Sequence, residues 1–110
     1  MSYEYRLVFV DNLSAQDVID FVRSSGFYIR GCGDFIYLKE PSVKSEAPYD
    51  IRIIQEGNSS IWLEVGFRSP GLYGLLRSAI GDHQYVCLED GDPNYEVPLY
   101  EAFRLKQIPS

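Results

Sequence analysis

The segment Cys87–Glu101, CLEDGDPNYEVPLYE, gathers Glu89, Asp90, Asp92, Glu96 and Glu101 around a turn, with Asp82 just upstream and no basic residue until Arg104. Carboxylates at this density can hold a hard cation, serve acid–base catalysis or present a negative surface to a basic partner. For calcium, Asp90, Asp92 and Asn94 alternate as oxygen donors and Glu101 stands twelfth counting from Asp90. Pro93 and Tyr95, however, stand where an EF-hand loop needs flexibility and glycine, and Pro98 interrupts the path to Glu101. GDPN is also a turn signal in its own right, and a helix that starts after it tolerates acids in its first turn. A docking surface and a solvated turn are the readings that survive.

His83 is the one histidine, next to Asp82. A base built on it would need a positioned nucleophile and an orienting carboxylate, and no Ser or Cys is placed beside it by the sequence. Cys87, four residues on, would share a strand face with His83, but a zinc site would also require Cys32 and an acid. The two cysteines lie 55 positions apart without a CxxC pattern, so each reads as a small, buried, reduced side chain. GCG at 31–33 precedes a strand rather than a helix and is no phosphate loop. No catalytic residue, metal site or cofactor is expected.

The elements that must position these residues follow from periodicity. YEYRLVFV (Tyr3–Val10) reads as a first strand. Ser14 and Asp17 form a variant capping box, which predicts a helix from about Ala15 to Ser25 with Val18, Ile19, Phe21 and Val22 on one face and Gly26 as its left-handed stop. FYIR-GCG-DFIYLKE reads as a hairpin around a three-residue turn, or as one bulged strand. PSVKSEAPYD (Pro41–Asp50) reads as a loop. IRIIQE-GNSS-IWLEVGFR is the clearest hairpin, with Ile61, Leu63, Val65 and Phe67 on the core face and Trp62, Glu64 and Arg68 on the other. Leu72, Leu75, Leu76, Ala79 and Ile80 mark a second helix, capped by Ser69 and Pro70 and closed by Gly81. HQYVCLED is a last strand, and Pro98 opens a short third helix with Leu99, Phe103 and Ala102 inward.

With 110 residues, 45% hydrophobic and 24% charged, the chain is expected to be a single domain over 1–110 that needs no disulfide or metal to fold. Helices separated by hairpins predict an α+β fold, a mostly antiparallel sheet with two main helices on one face, of the elaborated ferredoxin-like kind. No run is long enough to span a membrane, the N-terminus lacks the pattern of a secretory signal, and the expected location is the cytoplasm. A net charge of −6 argues against nucleic acid, whose phosphates require Lys and Arg.

Nine tyrosines and one tryptophan exceed the needs of so small a core. Trp62 and Ile54, with Arg52, Glu56, Glu64 and one of Tyr28 or Tyr37, are expected on the sheet face away from the helices, as an apolar patch rimmed by charge. In size and acidity the chain resembles the small bacterial immunity proteins that neutralise nuclease or other toxin domains, a likeness without a shared motif. It implies a non-catalytic domain that binds a basic protein partner, such as a toxin domain or enzyme. Glu89, Asp90, Asp92 and Glu96 would then steer association, and Trp62 and Tyr95 would anchor it. A small-molecule pocket between sheet and helices, and a module that self-associates into a homo-oligomer, are the alternatives.

Overall fold

The strand alternation and the two helical stripes close on one another in a computed structural model of the chain, which describes residues 3–32, 34–40, 48–66 and 69–103. In chain order the elements are β1 (Tyr3–Phe9), α1 (Ala15–Arg23), β2 (Tyr28–Cys32), β3 (Phe35–Leu38), β4 (Ile51–Gln55), β5 (Ser60–Val65), α2 (Pro70–Ile80), β6 (Tyr85–Glu89), β7 (Glu96–Val97) and α3 (Leu99–Ala102). The strands form one antiparallel sheet in the order β2-β3-β4-β5-β1-β6-β7. Its inner part, β4-β5-β1-β6 with α1 and α2 in the connections, has the βαββαβ arrangement of a ferredoxin-like sandwich. The β2-β3 hairpin extends one edge and β7 the other, giving the α+β class that the sequence predicts.

One set of strand positions, among them Tyr5, Leu7, Ile53, Ile61, Leu63 and Cys87, is buried in a common core with Val18, Val22, Leu72 and Leu76 of the helices. Leu99, Ala102 and Phe103 of the α3 segment join the same core, and Phe103 meets Tyr73 of α2 edge to face at 5.8 Å. Among the described residues the three helices all lie on the core side and leave the other sheet face uncovered. No helix among the described residues is long and apolar enough to cross a membrane.

Both long helices start as their sequences dictate. The Ser14 hydroxyl accepts from Asp17 N at 3.1 Å while the Asp17 carboxylate accepts from Ser14 N, completing the capping box. Ser69 accepts from Leu72 N at 3.1 Å, Pro70 fills the first turn, and Gly81 ends α2 at φ +62°.

Four expectations need correction. Phe21 is 44% exposed, because only Ala15, Val18, Ile19 and Val22 fall on the buried stripe of α1. That helix stops at Ser24 and Ser25, whose hydroxyls donate to the carbonyls of Phe21 and Val22, and Gly26 has no left-handed φ. The β2–β3 connection is shorter than three residues, since Gly31 and Cys32 remain in the ladder opposite Ile36 and Phe35, and a bulge lies at Tyr28/Arg30 instead. Finally, Glu96 and Val97 pair with Leu88 and Cys87, so the acidic turn is the loop of a β6–β7 hairpin and not only a lead into a helix. Gly33, Phe67, Arg68, Arg104, the Cys32 side chain and residues 41–47 of the expected loop lie outside what is described.

The two glycines of α2 differ in kind. Glu40, a buried carboxylate, accepts from the Ser69 hydroxyl at 2.9 Å, and a β-carbon on Gly71 would lie 2.7 Å from its Cδ. The first turn of α2 thus lies against a side chain, whereas the position of a β-carbon on Gly74 has nothing within 4 Å. Gly74→Ala should stabilise the protein by up to about 1 kcal/mol through helix propensity. Gly71→Ala should instead destabilise it by about 1–3 kcal/mol, since the buried Glu40–Ser69 bond must break. Urea unfolding of the two variants measures both signs.

Candidate functional site

The uncovered sheet face is organised in cross-strand rows by the register. One row runs Phe35, Ile54, Trp62, Arg6, Leu88, Glu96 from β3 to β7. Its neighbour runs Arg30, Tyr37, Arg52, Glu64, Glu4 from β2 to β1. Directly opposed side chains in such rows are in contact, and these rows are held by arginines stacked on rings. The Arg6 guanidinium lies 5.3 Å from the Trp62 ring, that of Arg52 4.6 Å from Phe35, and that of Arg30 5.0 Å from Tyr37. Arg6 also bonds Glu56 at 2.8 Å, Arg52 pairs with Glu64, and Trp62 Nε1 donates to Glu4 at 3.1 Å. Tyr37 has Tyr49 against its edge at 4.8 Å. Trp62, Ile54, Arg52, Glu64 and Tyr37 thus take the expected face, Tyr28 packs toward the core, and Glu56 reaches the face from the turn after β4.

The acidic loop is folded onto this face. Asp90 and Gly91 both have positive φ, +53° and +74°, and Asp92 N donates to Glu89 O at 3.0 Å, the arrangement of a type I′ turn with Asp-Gly at its centre. Asp90 N donates to Glu4 O at 2.9 Å and Glu89 N to Tyr95 O at 2.9 Å, so backbone bonds tie the loop to β1 and across itself. Gly91 is buried: a β-carbon there would sit 2.9 Å from Trp62 Cζ3, and its carbonyl accepts from Arg6 at 3.4 Å. The contact brings Trp62 and the loop of Glu89, Asp90, Asp92, Tyr95 and Glu96 into one surface. Tyr95 is 60% exposed, and none of the four acids forms an ion pair with another described residue. Beside it lies a shallow, open depression of about 320 Å³ lined by Arg6, Val8, Glu56, Ser59 and Ser60.

Arg6 and Glu4 are the members that sequence reasoning misses. The alternation of β1 already sends Glu4 and Arg6 away from Tyr5 and Leu7. That Arg6 meets Trp62 and the acidic loop requires knowing that β1 lies between β5 and β6.

The residues that would carry metal or nucleophile chemistry are not brought together. Cys87 faces the core, and burial, followed by the carboxylates of Glu101, Glu89 and Glu96, pushes its thiol up to about 12, so it is protonated at neutral pH and a poor nucleophile. His83 precedes β6 and its Nδ1 meets both Asp11 carboxylate oxygens at 3.1 Å. Among the described residues no three His, Cys, Asp or Glu side chains are arranged to hold a metal ion. No model of a known protein family matches the chain, and neither curated proteins nor solved structures include a match.

Asp11 joins two connections: it accepts from Leu13 N at 3.1 Å and Gln84 N at 3.0 Å in addition to His83. The Leu13 and Gln84 amides, helped by His83, hold its carboxyl below the ordinary 3.8. A folded-state value below the unfolded one contributes stability that is present above the unfolded value and lost as pH falls through the folded one. Asp11→Asn should therefore lower stability against urea at pH 7, and the gap to wild type should narrow below about pH 4, the ordinary carboxylate range.

Proposed function

We propose that this chain is a non-catalytic protein-binding domain, a small acidic inhibitor of the bacterial immunity type that docks on a basic toxin or enzyme. The observation that carries the reading is the seating of the acidic hairpin loop on Trp62 through Gly91. Four carboxylates without an ion pair to any described residue, beside a half-buried indole and an exposed Tyr95, combine the two things a basic partner's surface needs. The charge speeds encounter, and the aromatic groups lengthen the life of the complex.

The division of labour makes the reading testable. With the domain immobilised and lysate of the source cell passed over it, a basic protein should be retained at low salt and released as salt rises. A variant with Glu89 and Glu96 changed to Ser, and Asp90 and Asp92 to Asn, should lose that protein. Asn is tolerated at the positive φ of Asp90, so the loop keeps its shape. Trp62→Ala should slow association little and weaken binding by about 2 kcal/mol or more through faster release. Equal recovery on wild type and on the charge-depleted variant would make the loop a solvated turn and overturn the proposal.

A further inference from the structure

Three arginines of the uncovered sheet face are stacked on rings, and two of them are completed by a carboxylate. Arg6, over Trp62, grips Glu56 with two prongs, Nε to Oε1 at 2.8 Å and Nη2 to Oε2 at 3.3 Å. Arg52, over Phe35, donates through Nη2 to Glu64. Arg30 lies 5.0 Å over Tyr37, whose edge is held by Tyr49 at 4.8 Å, and is exposed. Its guanidinium forms no hydrogen bond or ion pair with a described residue. The third unit therefore lacks the acid that the other two have.

We propose that Arg30 is a docking point for a carboxylate of the protein partner, an Asp or Glu side chain that completes this third unit. Stacking takes up the flat face of a guanidinium and leaves its edge, where the N–H donors point, open to an acceptor. The ring beneath also holds the group in place, so less freedom is lost when the acceptor arrives. A planar carboxylate matches the open fork with two parallel bonds, as Glu56 does for Arg6. Arginine and tyrosine are also among the residues that dominate binding energy at protein interfaces.

This rests on the proposed function and deepens it by specifying the partner's charge pattern. Arg30 lies on β2, three strand spacings or about 14 Å from β5, whose Trp62 carries the acidic loop. A standard interface of about 800 Å² per partner covers both points. A partner that is basic throughout meets like charge at Arg30. One that sets an acid beside its basic patch meets opposite charge at both places. Arg30 thereby selects against proteins whose only complement to a chain of net charge −6 is positive charge.

Two measurements test it. In the first, acetate replaces chloride at constant ionic strength, and the Nε–H resonance of Arg30 is followed by NMR. It should move several-fold further than that of Arg23, which is exposed on α1. In the second, the basic protein retained by the immobilised domain is titrated at moderate salt. Arg30 is exposed on an edge strand, so its variants leave the core untouched. Arg30→Lys, which keeps the charge without the fork, should raise the dissociation constant a few-fold, and Arg30→Glu about tenfold. An amidated oligolysine peptide, which has no carboxylate, should show the opposite sign and bind Arg30→Glu more tightly than wild type. Tighter binding of the retained protein by Arg30→Glu, or an Arg30 resonance that acetate moves no further than that of Arg23, overturns the proposal. Either result leaves the basic-partner reading intact, since that depends on the charge-depleted loop variant. If that reading fails instead, the acetate titration still decides whether Arg30 takes a carboxylate.

Discussion

The register of β1 decides which side chains can act together. It is paired along its length with β5 on one side and β6 on the other, and the same alternation must satisfy both ladders. With Leu7 opposite Ile61 and Cys87, the core face is continuous across three strands, and Arg6 is bound to lie between Trp62 and Leu88 on the other face. A slip of one residue would send Tyr5, Leu7 and Phe9 to the uncovered face and Arg6 into the core, so the hydrophobic pattern fixes the arrangement of the surface as firmly as that of the interior.

The acidic hairpin depends on that register. Its Asp-Gly turn needs positive φ at both central residues, and the lack of a side chain at Gly91 lets the loop lie against the indole. Arg6 stands between them, stacked on Trp62, bonded to the Gly91 carbonyl and paired with Glu56. The loop's own carboxylates remain outside these contacts, exposed or half-buried around a fixed aromatic centre. Rigid placement of such groups lowers the ordering cost of binding, which a freely moving acidic loop would have to meet at each encounter.

Much of this was legible in the sequence where a local rule decides the outcome. The Ser14–Asp17 box, the Ser69-Pro70…Gly81 frame of α2 and the alternation of β5 each specify their element, and the last already puts Trp62 opposite the core. Legibility fails where a distant partner decides. Two residues, Glu96 and Val97, carry no strand pattern, and pairing with β6 alone makes them β7. Gly71 reads as a weakness in a helix until Glu40, far away in sequence, is found over it. Arg6 is remote in sequence from an acidic segment that has no Lys or Arg of its own before Arg104, and the fold places it against Gly91.

The claim on which the candidate site stands is that the acidic loop is seated on Trp62, and a double-mutant cycle in urea tests it. Gly91→Ala is measured alone and with Trp62→Leu, which shortens the side chain that a β-carbon at position 91 would strike. If the loop is seated there, the cost of Gly91→Ala should fall in the Trp62→Leu background by at least about 0.5 kcal/mol, the remainder being the left-handed φ. Additive costs would contradict the contact and separate the acidic loop from Trp62.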